Sequence, residues 1–88
     1  MNSVWSVYAL YSVNHDRIYI GMSKRIQKRL SEHNRGKVRS TKAFVPWIKI
    51  YEKEIGERQE AREYEKYLKT TSVRRMIRGI ISSEKFFQ

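Results

Sequence analysis

Eighty-eight residues make one small domain, whose fold buries roughly 60 to 65% of the surface its unfolded chain exposes and leaves no room for a second module. Nineteen Lys and Arg against nine Asp and Glu give a formal net charge of +10, which points to a polyanionic partner, nucleic acid first. The lack of cysteine excludes disulfides and thiolate metal sites and suits a reducing cytoplasm, and apolar runs broken by Ser, Asn and Arg predict neither a signal peptide nor a membrane span.

Val4 to Ser12 is rich in Val, Trp, Tyr and Leu, and Arg17 to Met22 in Ile and Tyr. Asn14, His15 and Asp16 between them supply turn chemistry, so the two runs predict a β-hairpin. With an even loop, the two-residue alternation of strands puts Tyr8, Leu10, Tyr19 and Gly21 on one face and makes the two phenols neighbours. His15 reads as a turn residue.

After Gly21 the spacing becomes helical. Ser23 is the expected N-cap, the helix runs from Lys24 to Asn34, and Gly36 is its stop signal. Ile26, Arg29, Leu30 and His33 share its packed side, while Lys24, Lys28 and Ser31 face away. His33 on that side is either a functional imidazole or a core-edge histidine bonded to the backbone. The basic stretch Gly36 to Lys42, with Lys37, Arg39 and Lys42, is either a phosphate-contact loop or a solvated one.

Phe44 to Glu52 has strand composition, with Pro46 near its start at an edge, and would complete a three-stranded sheet. Trp47 and Tyr51 are expected in the core, with stacking on a nucleobase as the alternative. Gly56 ends that run. Glu57 to Lys69 is a helix by propensity, acidic at its start and basic at its end, as the helix dipole favours. Its apolar stripe is Ala61, Tyr64 and Leu68, and Glu65 falls inside it, where a carboxylate needs either a basic partner such as Arg29 or a metal ion. Thr70, Thr71 and Ser72 can cap a last short helix from Val73 to Arg78, with Arg74, Arg75 and Arg78 exposed. We expect one domain over residues 1–82 and a patternless tail over 83–88.

These residues carry a resemblance. Val7-Tyr8, then Tyr19-Ile20-Gly21, then Arg29 and His33, resemble the GIY-YIG nuclease family, and the likeness continues through Glu32 to Lys37, Ser40-Thr41, Pro46-Trp47 and Ala61, Glu65 and Leu68-Lys69. It spans the whole chain and is closest to small stand-alone members. The resemblance implies an α/β (α+β) fold with a small, mostly antiparallel three-stranded sheet flanked by helices. It also implies metal-dependent hydrolysis of DNA phosphodiesters. Tyr19 would be the general base, Arg29 the clamp on the phosphoryl oxygens, and Glu65 the ligand of one Mg²⁺ or Mn²⁺, with Tyr8 and His33 positioning the water and tuning the base.

Lys24, Arg25, Lys28, Lys37, Arg39 and Lys42 would bind the nucleic acid. Its form stays open between branched and damaged DNA, as met in repair or recombination, with RNA not excluded. Targeting would come from this domain, a homodimer or a partner. A free phenol titrates near ~10 and is a poor base at neutral pH; positive charge from Arg29, Lys24 and the metal would favour its phenolate. The chain departs from the family pattern at Ser6, where glycine is usual, and at Met22, often basic in the excision-repair branch, which implies a slow or alkaline-shifted reaction. The alternative function is a nucleic-acid-binding protein of the same fold with little or no catalysis.

Overall fold

A computed structural model describes residues 4–84. Three strands, β1 (Trp5–Ser12), β2 (Arg17–Ser23) and β3 (Ile48–Gly56), form one antiparallel sheet in the order β2-β1-β3. Three helices join it: α1 (Ile26–Asn34), α2 (Arg58–Leu68) and α3 (Thr71–Glu84). The architecture is the α+β one anticipated from the sequence.

β1 is the central strand, paired along both edges and buried on both faces, so its side chains alternate between two packing layers. Val7 and Ala9, with Ile20 of β2, pack against Ala61 and Leu68 of α2 and Val73 of α3. Tyr8 and Leu10 point the other way, onto Ile26 of α1 and Trp47. The hairpin register opposes Tyr8 to Gly21 and Leu10 to Tyr19, which places those four residues on one face as the alternation requires. Asp16 turns the hairpin at a φ of 51°, a conformation in which Asp is tolerated. Its carboxylate accepts from the Tyr11 hydroxyl at 2.9 Å and from Arg78 of α3 at 2.8 Å, so the turn is tied to the last helix.

Three boundaries and one residue's burial differ from expectation. α1 begins at Ile26, because Ser23 ends β2 and its hydroxyl accepts the Arg25 amide at 2.9 Å in the connector instead of capping a helix from Lys24. The far end of α1 is as predicted: Gly36, at φ 75°, follows the C-cap, and the Gly36 and Lys37 amides donate to the His33 and Glu32 carbonyls at 3.1 and 3.0 Å. β3 runs Ile48–Gly56, four residues later than its apolar composition suggested. Phe44 belongs to a 3-10 turn, Lys42–Phe44, and the Val45–Pro46 peptide is cis. Asn34 captures Trp47 through both backbone groups, accepting from its amide at 2.6 Å and donating to its carbonyl at 3.0 Å, which fixes the connector before pairing begins.

The last helix extends through Gly79 to Glu84, because Ile77 and the buried Ile81 continue the stripe opened by Val73. It therefore crosses the boundary drawn at residue 82; of the expected tail, 85–88 lie outside the described residues. Tyr51 is the fourth correction. It is 37% exposed, because β3 is an edge strand, and its hydroxyl meets that of Tyr64 at 2.6 Å on the rim of the core. Among the described residues no helix is long and apolar enough to cross a membrane.

Candidate active site

The site grows from the face of the hairpin that carries Tyr8. A Cβ at Gly21 would stand 2.6 Å from the Tyr8 hydroxyl oxygen and 2.9 Å from a ring carbon of Tyr19. Both contacts are closer than real Cβ atoms come. Only glycine lets the Tyr8 phenol lie across β2, which is the physical content of a glycine following Tyr19-Ile20.

Beyond Gly21 the Tyr8 hydroxyl meets Nε2 of His33 at 3.0 Å, and Nδ1 of His33 meets Oγ1 of Thr41 at 2.8 Å. All three residues are 0 to 1% exposed. The direction of the chain follows from its far end. Thr41 donates its hydroxyl proton to the Val38 carbonyl at 3.4 Å, so its oxygen accepts from Nδ1–H. Nε2 is then bare and accepts the proton of Tyr8. Burial first, and then the positive charge of Arg29, push His33 down to about 4, so the imidazole is neutral at ordinary pH. Burial and then the neighbouring Tyr19 push the Tyr8 phenol up to about 12, so it stays a donor.

Tyr19 completes the aromatic set. Its ring centroid lies 4.9 Å from that of His33 and 6.3 Å from that of Tyr8, and it is half-buried where Tyr8 is closed off. Arg29, on the same side of α1, is close enough to oppose the rise at Tyr8, and it also pairs with Glu32 at 3.1 Å. A phosphate arriving at Arg29 therefore competes with a half-exposed carboxylate, a partner it can displace.

Glu65 comes from the other layer. Its side chain is 16% exposed and 3.7 Å from Lys69, one helical turn on, so the basic neighbour anticipated for it is Lys69 and not Arg29. Its negative charge nevertheless reaches the site, where it adds to the rise at Tyr8. The structure thus brings Tyr8, Tyr19, Arg29 and His33 together and sets Glu65 within electrostatic range of them. Lys24, Arg25 and Lys28 line an open groove with Arg29, whereas Lys37, Arg39 and Lys42 are exposed on the following loop and do not line it. Met22 packs against the apolar core on the α2 side, so the strand carries it away from the face of Tyr8 and Tyr19. Ser6, in place of the usual glycine, is accommodated at 8% exposure within β1.

With this geometry in hand, the comparison with protein families is decisive. The family described as GIY-YIG catalytic domain matches residues 4–77. The chain belongs to the GIY-YIG family. That family is one of nucleases, which act on DNA. No curated protein and no solved structure matches the chain.

Two residues of this GIY-YIG site escaped sequence reasoning. Thr41 sits in a basic, polar stretch that reads as surface, yet it is 1% exposed, accepts from His33 and receives the Trp47 indole N–H on its carbonyl at 3.0 Å. A lone threonine amid Lys and Arg carries no periodic signal, and only its place in the family resemblance, as Ser40-Thr41, marked it. Trp5 reads as one more strand aromatic, but it lines the groove beside Arg29.

Proposed function

We propose that this chain is a divalent-metal-dependent endonuclease that hydrolyses DNA phosphodiester bonds. The observation that carries the reading is the buried chain from Tyr8 through His33 to Thr41, laid over Gly21 with Arg29 at its open side. Three buried polar residues wired in one direction are costly for so small a core, and a purely structural hydrophobic filling would avoid that cost.

Hydrolysis needs a proton acceptor for the attacking water and positive charge on the phosphoryl oxygens. Tyr8 is closed to solvent and locked as a donor, so it orients the site and does not take the proton. The half-buried Tyr19 is the phenol that water can reach, and it is the general base, with the Arg29 guanidinium close enough to interact with it. Arg29 exchanges Glu32 for the substrate and presents two N–H groups to the phosphoryl oxygens. His33, neutral and held by Thr41, keeps the Tyr8 hydroxyl from turning toward the water.

The donor set fits a particular kind of metal. Among the described residues no group of three or more His, Cys, Asp or Glu gathers, which argues against a closed protein cage. One low-exposure carboxylate suits Mg²⁺ or Mn²⁺, which keep water and substrate phosphate as most of their ligands. Glu65 would hold the ion, which supplies charge for the leaving oxygen.

A binding-only protein of the same fold is the second reading, favoured by the ion pair that already satisfies Glu65. Nicking of supercoiled plasmid with Mg²⁺, with Mn²⁺ and with chelator separates the two. We expect open-circle product with either metal and none with chelator; retardation of the DNA without cleavage under every condition would leave the binder.

A further inference from the structure

Trp5 opens β1 on the α2 side of the sheet, half-buried against the apolar core, yet its indole also forms part of a groove of about 380 Å³ that it shares with Met22, Lys24, Arg25, Lys28 and Arg29. Two cations from distant parts of the chain converge on that ring. The Lys24 ammonium, from the connector after β2, lies 5.5 Å from its centroid, and the Arg58 guanidinium, from the first residue of α2, lies 5.7 Å from it. Neither makes an ion pair among the described residues, nor do Arg25 and Lys28. An aromatic face attracts a cation through its quadrupole without neutralising it. Lys24 and Arg58 are therefore held in place with their charge unspent, whereas Arg29 must first release Glu32.

We propose that Lys24 and Arg58, braced on Trp5, form a second phosphate subsite for the bound nucleic-acid strand, beside Arg29, which carries the strand from α1 across the end of β2 onto the start of α2. The proposal rests on the reading of the chain as a DNA-acting protein and adds to it a direction of the strand and a contact, Arg58, on a helix otherwise occupied with the core and Glu65. The bound group is a phosphodiester; the indole organises the two cations and needs no base to stack on it.

Binding of a short fluorescein-labelled duplex, measured by anisotropy in chelator across a series of salt concentrations, tests the subsite with no cleavage involved. Each phosphate contact removed lowers the slope of log affinity against log salt by about one. Arg58→Gln and Lys24→Gln should each do so and weaken binding roughly three- to tenfold at low salt. Arg75→Gln, an equal charge change on the exposed side of α3, should leave slope and affinity near the wild type. Trp5→Leu should weaken binding with the slope retained, and Trp5→Phe, which keeps an aromatic face, should restore it.

An Arg58→Gln slope equal to that of the wild type, or a loss no larger than that of Arg75→Gln, overturns the subsite. Wild-type affinity in Trp5→Leu overturns the bracing role, and if that variant does not fold the Arg58→Gln comparison decides. A steep wild-type slope without plasmid nicking would defeat the nuclease reading and leave the subsite standing. A flat wild-type slope would defeat the subsite, whatever the plasmid assay shows.

Discussion

The two faces of β1 are made by alternate residues of one strand, yet they are built on different principles. Toward α2 and α3, Val7 and Ala9 meet Ala61, Leu68 and Val73, an apolar packing in which any shape that fills the volume serves. Toward α1, Tyr8 is held by a hydrogen bond at its tip and by a bare backbone beneath its ring, and its neighbours His33 and Thr41 are fixed by direction as well as by volume. A strand buried on both sides can thus devote one face to holding the fold and the other to orienting polar atoms. The difference implies that substitutions on the two faces fail differently, the first in stability and the second in chemistry.

The sharpest break between the faces should come from the phenols and the carboxylate. Tyr19→Phe should lower single-turnover cleavage about a thousandfold and remove the limb of the profile that rises with pH, while circular dichroism and melting stay near the wild type. Tyr8→Phe should lose less. A Tyr19→Phe enzyme with the wild-type rate and pH profile would overturn the base assignment. Glu65→Gln should suppress the rate by a factor of about a hundred or more with DNA binding intact; loss of folding instead would make the Lys69 pair its main purpose.

Next in size are the two glycines, which set the faces against each other directly. At Gly21 an added methyl meets the Tyr8 oxygen and ring, and Gly21→Ala should cost about 2 to 3 kcal/mol and most of the cleavage, because the phenol must leave its place to admit it. At Gly79, in the middle of α3, an added Cβ meets nothing within 4 Å. Gly79→Ala should therefore stabilise the protein by about 0.5 to 1 kcal/mol through helix propensity alone, with unchanged cleavage. Chemical denaturation of both variants checks the pair; equal effects would deny the contrast.

Acid should act on the polar face as well. His33 is held at about 4 in the folded protein against an ordinary value near 6.5. Between those values the unfolded chain binds the extra proton, so stability is complete above about pH 6.5 and falls as pH drops toward 4, by roughly 3 kcal/mol in all. Urea midpoints across that window should follow this course, and Thr41→Val should alter it more than any change among Val7, Ala9 or Val73. A window of constant stability would mean that His33 is not buried neutral.

Much of this was readable in the residues. The turn at Asn14 to Asp16 and the alternation on either side of it were enough to put Tyr8, Leu10, Tyr19 and Gly21 together, because strand geometry admits only two faces. The third strand was read too early for a definite reason. Phe44, Val45 and Trp47 have strand composition, but the Phe44 and Trp47 rings are taken up by Arg17, Thr41 and each other and the Trp47 backbone by Asn34, while the charged run through Lys53 and Glu54 pairs with β1 as an edge strand open to water. Stopping the last helix at Arg78 gave too much weight to Gly79, which the stripe of Ile77 and Ile81 overrides. The hydrogen bond from His33 to Thr41 and the seat of Trp5 between Lys24 and Arg58 depend on tertiary placement, for which no local pattern exists.

The order β2-β1-β3 has a further meaning in time. The phenols, the imidazole and the threonine beneath it all come from a continuous run ending at Thr41, so hairpin and first helix can assemble them through contacts closer in sequence than the pairing of β3 with β1. β3 must return across the connector to pair with β1, and Glu65 follows it on α2, closing the opposite layer. The aromatic half of the site is then in place before Glu65 arrives, and a growing chain emerges with its most basic stretch ahead of that carboxylate. Pulse-labelled amide exchange during refolding, with β1 and β2 protected ahead of β3, would register that sequence of events; simultaneous protection of all three strands would refute it.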